Sequence, residues 1–308
     1  MDAAFTAEQD ELRAQARAFL RDTPAPTWRH LAELGWTGVS VSEADGGAGL
    51  GFVEEGILLE ELGRALAHVP YLSTVSLLPA LPADLRAEVA AGDASWVLAL
   101  GPLVPDLDTV TRVAIVGGDG IYELEGFERE VLATKDATRP LGVVSGGTAG
   151  RLLAPADRLP ELRTRLLAGL ALEAVGVGSH ALERAIAHAT ERVQFGRPIG
   201  TYQAVAHPLA VVYTQLELGR SLALWAAWCV ATADPDAEIA AAAAKSHAAE
   251  AAVLACEQAI QAHGGTGFTW EHDLHRHYRR ALGIQSWEAS SAQLRAEVAD
   301  HLLNGGAR

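Results

Sequence analysis

The hydrophobic pattern of this chain changes period twice: helical spacing at both ends encloses a shorter stretch of alternating, β-branched text. Leu12, Ala16, Phe19 and Leu20 recur at helical intervals behind Thr6 and Gln9, which have capping-box spacing. They predict a helix ending near Asp22, ahead of Pro24 and Pro26. A short second helix is expected over 27–35. Phe52 to Val69, stopped by Pro70, and Leu81 to Ala91 continue the helical text, so residues 1–94 read as an all-helical first domain. The loop before Phe52 carries Gly46, Gly47, Gly49 and Gly51, but not at the G-x-G-x-x-G spacing of a dinucleotide fingerprint and with no strand before it. A turn is what it supports.

From Ser95 to Ala154 the text becomes WVLALGPLV, RVAIVGG, GIYELEG and GVVSGG, short β-branched runs punctuated by glycine, and predicts a small β-domain over 95–157. Helical spacing then returns over 160–194, 201–232 and 234–263, with shorter segments near 272–283 and 290–303. Long Ala- and Leu-rich helices joined by short loops predict an antiparallel bundle over 158–308.

Charge and cysteine usage narrow the partners. Lys plus Arg number 24 against 39 Asp plus Glu, a balance of −15, which repels nucleic acid and anionic membranes, so an anionic ligand needs a local basic site. Arg192, Arg197, Arg276, Arg279 and Arg280 stand where such a site is wanted. Cys229 and Cys256 lie in Ala-rich apolar text and read as small core residues of a reducing compartment. The acidic, amphipathic start argues against a signal peptide, and no uninterrupted apolar run approaches the roughly 20 residues of a membrane span. A cytoplasmic location is expected.

Arg192 closes the first long predicted helix, three residues before Phe195. A cation at such a corner can pair with a pyrophosphate while the ring packs on a flat heterocycle; alternatively it only caps the helix. Gln203, in the next helix's first turn, would complete that site. Gln261 with Gly264 and Gly265 follows the third long helix, where glycines let backbone amides approach an anion or simply turn the chain. His263, His272, His275 and His277 invite a metal reading. Glu-x-x-His, which a diiron bundle needs, is absent from the sequence and no cysteine is close, so no metal is expected and the histidines are placed on a polar helix face.

Together, ERVQFGRPIGTYQAVAHPLA from Glu191 and QAHGGTGFTWEHDLHRHYRRA from Gln261 closely resemble the C-terminal half of the acyl-CoA dehydrogenases. The resemblance implies a mainly α fold: a helical N-terminal domain, a β-domain and a C-terminal four-helix bundle. It implies that Arg192, Phe195 and Gln203 contact the FAD of a neighbouring subunit, and Gln261, Gly264 and Gly265 its ADP half. The family's common base is a Glu in a Tyr-Glu-Gly-Thr-like turn before the last helix. Here that turn reads Trp287, Glu288, Ala289, Ser290, so Glu288 takes the α-proton and Ser290 joins the flavin contacts. The alternative base position on the first long helix is filled by Leu166 and Leu167.

The implied activity is FAD-dependent α,β-dehydrogenation of an acyl-CoA thioester, with hydride passing to the flavin and re-oxidation by an electron-transfer flavoprotein. The β-domain is about half the family's size, and no Trp-Ile-Thr or Ile-Thr-Gly-x-Lys occurs in it. In this the chain is similar to actinobacterial members that work as α2β2 heterotetramers on steroid side-chain or related thioesters. An unlike acyl-CoA dehydrogenase subunit is the expected partner, with a homo-oligomer left open. Two other readings also stay open: a non-catalytic subunit that completes a partner's flavin site, and a biosynthetic enzyme acting on a carrier-bound acyl group.

Overall fold

A computed structural model of the protein describes residues 5–304; residues 1–4 and 305–308, the outer ends of the first and last predicted domains, lie outside them. The described chain divides into two compact units. One comprises Phe5–Leu59 and Ala67–Gly169, the other Glu60–Leu66 and the residues from Leu170 onward.

The first unit opens with α1 (Ala7–Asp22). Its predicted capping box is present: the Gln9 amide donates to Thr6 Oγ1 at 3.2 Å and the Thr6 amide to Gln9 Oε1 at 3.0 Å. Thr27 caps α2 (Trp28–Glu33) in the same way. α3 (Phe52–Arg64) stops short of the expected Val69, because Leu66 takes a left-handed φ of 50° and closes on the Gly63 carbonyl. A separate α4 (Tyr71–Leu77) follows, fully buried, and was not expected from the pattern. Its Ser73, Thr74 and Ser76 interrupt the apolar period, yet two of them are satisfied inside: Ser73 Oγ donates to Asp106 and Thr74 Oγ1 to the Trp96 carbonyl. α5 (Ala83–Ala90) completes the helices of this part.

The sheet comprises β1 (Trp96–Ala99), β2 (Val104–Pro105), β3 (Arg112–Val116), β4 (Gly120–Val131) and β5 (Leu141–Pro155), in the order β1-β3-β4-β5-β2. β1 and β3 are parallel and the other pairs antiparallel. Val97, Val104, Leu107, Val110, Val113 and Leu124 form its core, the inward half of the alternating text. The small β-domain expected between the helices is therefore present.

α6 (Leu159–Glu191) begins in the first unit and ends in the second. The second unit continues through the hairpin β6 (Val193–Gln194) and β7 (Arg197–Pro198), then α7 (Gln203–Ala231), α8 (Ala237–His263), α9 (Leu274–Ser286) and α10 (Ser291–Asn304). α8 packs against α7, α9 and α10, and its alanines are small because the neighbours come close. A Cβ on Gly178 would stand 3.0 Å from Ala252 Cα, and one on Gly219 would stand 3.2 Å from Ala248 Cα. Arg280 pairs with Glu173, both nearly fully buried, and Arg220 pairs with Glu60. Arg280 is thus a core cation and not part of a surface anion site.

Two helical stretches, Ala156–Glu191 and Ala237–Phe268, are in fact long and apolar enough to cross a membrane by length and composition. Their most apolar windows are 83% and 67% buried, which accounts for that apolarity as core packing. Cys229 and Cys256 are free and buried as expected, and burial raises the Cys229 thiol to about 11.

Candidate active site

All the predicted site residues lie in the second unit, on three turns. Arg192 follows the last residue of α6, its amide donating to the His188 carbonyl at 2.9 Å. The β6–β7 hairpin turns on Phe195 (φ 54°) and Gly196 (φ 81°), the two positive φ values of a type I′ turn. This turn holds the Phe195 ring 93% exposed, edge-on to Tyr202 at 6.5 Å, while Arg197 lies over the Tyr202 ring at 4.0 Å. Gln203 is the first residue of α7 and exposed.

The second turn follows α8. Gly264 (φ 62°) breaks the helix, and a 3₁₀ turn runs from Gly264 to Phe268. A Cβ on Gly264 or Gly265 would meet nothing within 4 Å, so the turn is uncrowded there although the Gly264 amide donates to the Gln261 carbonyl, whereas a Cβ on Gly267 would come 2.5 Å from the Ile260 carbonyl. Gln261 is exposed beside it. The two turns adjoin through histidines: His188 stacks on His263 at 4.2 Å, and His263 meets His272 edge-on at 4.5 Å. Burial, then the neighbouring His263 and Arg192, hold the His188 pKa below its ordinary value.

These histidines do not line a polar face as the sequence suggested. His277 is a buried residue stacked on His180 at 4.5 Å. Neither stack was read from the sequence, although His188 sits four residues before Arg192 and so shares its helix face. An uncrowded glycine backbone beside an exposed arginine leaves room for the close approach of a pyrophosphate, with the guanidinium as its charged donor.

The third turn lies beyond the far end of α9, whose 13 residues span about 20 Å. Here the Ala289 amide donates to the Trp287 carbonyl at 2.9 Å, closing a three-residue turn around Glu288, and Glu288 has a φ of 66°. This is the rare, strained form of γ-turn. The Glu288 side chain is exposed, while Ala289 beneath it is buried. Ser290 begins α10 with its own capping box: its amide donates to Gln293 Oε1 at 2.9 Å and its Oγ accepts from the Gln293 amide at 3.3 Å. Arg192, Gln203, Gly264 and Gly265 therefore gather at one corner, and Glu288 with Ser290 stands apart at another.

Comparison with known proteins shows the family and the fold. Residues 6–82 match the acyl-CoA dehydrogenase N-terminal domain and residues 164–303 the acyl-CoA dehydrogenase C-terminal domain. Acyl-CoA dehydrogenase IpdE2 of Mycobacterium tuberculosis is 34% identical over 264 residues, 83% of this chain and 80% of the relative. Among solved structures, a chain of the Tcur3481-Tcur3483 steroid ACAD G363A variant superposes with a TM-score of 0.88 at 27% identity, covering 98% of this chain and 99% of that one. A chain of the ChsE4-ChsE5 complex from Mycobacterium tuberculosis gives a TM-score of 0.88 at 22% identity over 99% of each, a likeness of fold. The chain belongs to the acyl-CoA dehydrogenase family, flavin-dependent oxidoreductases with FAD as cofactor. Its class of reaction is acyl-CoA dehydrogenation.

Proposed function

We propose that this chain removes the α-proton of an acyl-CoA thioester with the Glu288 carboxylate, as one subunit of a pair of unlike chains. The strained turn at Glu288 carries the reading. A bulky residue at positive φ costs on the order of 1–3 kcal/mol, and such outliers persist where the surroundings impose them for a task. When bound, FAD supplies the acceptor for the hydride equivalent lost from the β-carbon. Glu288 takes the proton from the adjacent carbon, so that a C–C single bond becomes a double bond. Its distance from the Arg192 corner suits a division of labour: Glu288 and Ser290 serve one site, while Arg192, Phe195, Gln203, Gln261, Gly264 and Gly265 hold the pyrophosphate half of a neighbour's FAD.

The unlike partner is supported by the short β-domain, by the paired subunits named for the 27% identical structure, and by apolar side chains left on the second unit. Phe195, Phe268, Trp270, Val211 and Leu218 are all exposed, as residues of a permanent interface would be in a lone chain. α8 offers little such surface, because its alanines are buried within the bundle. A steroid side-chain thioester and an electron-transfer flavoprotein belong to the same reading as substrate and acceptor.

The test is Glu288→Gln, assayed with ferrocenium as acceptor on acyl-CoA thioesters from butyryl-CoA to a steroid side-chain thioester. A positioned base contributes about 10²–10⁴-fold, and the loss should fall in that range with FAD content unchanged. Turnover within a few-fold of the parent would remove Glu288 from the role and favour a non-catalytic subunit.

A further inference from the structure

Lys245 is one of two lysines in a chain whose other cations are arginines, and it lies in the middle of α8 with none of its surface exposed. A buried ammonium is costly unless its donors are satisfied. Two of its hydrogen bonds are unusual in their targets: Lys245 Nζ donates to the Gln285 carbonyl at 3.0 Å and also to the Ala289 carbonyl. Gln285 lies in the last turn of α9, where carbonyls have no helical partner and the dipole favours a cation. Ala289 directly follows Glu288. One compact charge therefore grips the backbone on both sides of the Trp287–Glu288 turn.

Further backbone groups of the turn are also held. The Trp287 amide donates to the Gly283 carbonyl at 3.0 Å, the Ala289 amide closes on Trp287, and the Ser290 capping box fixes the start of α10. What these bonds do not supply is a reason for Glu288 to stay left-handed, since a γ-turn with negative φ closes the same ring at lower cost. The Lys245 grip supplies one: it fixes where the carbonyls of residues 285 and 289 lie, and so fixes the path the chain takes between them. An arginine's planar fork would not converge on two carbonyls as a compact ammonium does.

We propose that Lys245 is a positioning residue for the reaction, an ammonium clamp that holds the Glu288 turn in its strained form and so aims the carboxylate. This rests on the reading of Glu288 as the base. A displacement of about 1 Å at a reacting group costs on the order of 10²-fold, and that is the loss expected once the clamp is gone.

The experiment uses the FAD-loaded protein, with its partner chain co-expressed, grown with 5-fluorotryptophan, and follows ferrocenium reduction alongside the fluorine spectrum. Trp287 lies in the turn and its resonance is assigned by its loss in Trp287→Phe. In Lys245→Met, kcat should fall about 10²-fold while KM and FAD content stay within a few-fold, and the Trp287 resonance alone should shift. Lys245→Gln, which keeps a donor without the charge, should recover part of the loss. Parental kcat in Lys245→Met, or an unmoved Trp287 resonance, overturns the clamp. So does collapse of both variants to unfolded protein, which would make Lys245 a core residue with no particular tie to the turn. Glu288→Gln in the same assay separates the two ideas. If it is inactive while Lys245→Met turns over normally, only the clamp fails. If it is active, the base assignment fails, and the Trp287 resonance still reports whether the turn moved.

Discussion

Acidification should unfold this protein partly through a single imidazole. His277 is 4% exposed, stacked face to face on His180 of α6, with its Nε2 3.4 Å from the Arg64 carbonyl at the end of α3. Asp273, before α9, draws its pKa up; Arg184 pairs with that carboxylate at 3.0 Å. Burial dominates, followed by the neighbouring His180, and the His277 pKa is pushed down to about 4. Above the ordinary value of 6.5 the ring is neutral folded and unfolded, and it contributes no pH dependence. As pH falls from 6.5 toward 4 the unfolded chain takes a proton that the folded chain refuses, so stability drops. The full difference amounts to about 3 kcal/mol. His180, also lowered by burial, acts in the same direction. Urea unfolding of the parent and of His277→Leu between pH 7 and pH 4 isolates the term, since carboxylates other than Asp273, which feels the ring, titrate equally in both. The parent should lose about 3 kcal/mol more than the variant over this interval. Equal losses would mean that the ring is already protonated, or solvated, in the folded state.

Three further outcomes follow. Arg192→Ala should weaken FAD by roughly ten- to a hundredfold, the worth of a charge-assisted contact of about 1.5–3 kcal/mol, and flavin should also be lost when the chain is purified without an unlike partner; flavin titration and solution mass check both, and a flavin-replete homo-oligomer of the single chain would refute the pairing. Gly176→Ala should destabilise by about 1–3 kcal/mol in thermal unfolding despite alanine's better helix propensity, because its Cβ would meet the Glu60 carbonyl at 1.9 Å; a higher midpoint would show that the helices can part freely.

Much of this was legible in the chain because the cues were local. Thr6 and Gln9 announce α1, and the glycines after His263 announce the end of α8. α4 was not legible because its serines and threonine look like a loop until their partners, Asp106 and the Trp96 carbonyl, are brought in from distant sequence. Arg280 looked like a surface cation for the same reason: only the fold places Glu173 opposite it. At the candidate site, the arginine, glycine and glutamate positions could be read as turns. What could not be read was the backbone sign at Glu288, a left-handed φ that has no sequence signature. Lys245 had a faint one, a lone cation amid alanines, which argues for asking of any such residue what its charge faces.

The close seam between α6, α7 and α8 has a consequence for how this protein can change. Where Gly178 and Gly219 face Ala252 and Ala248, each position already carries nearly the smallest side chain available, and any enlargement meets backbone. Such a seam offers selection no gradient: residues there cannot be traded for bulk or shape in small steps. Divergence toward new substrates must therefore enter at the ends of the helices, in the hairpin at Phe195, the turn at Gly264 and the turn at Glu288. The bundle is the fixed frame on which those three turns are set.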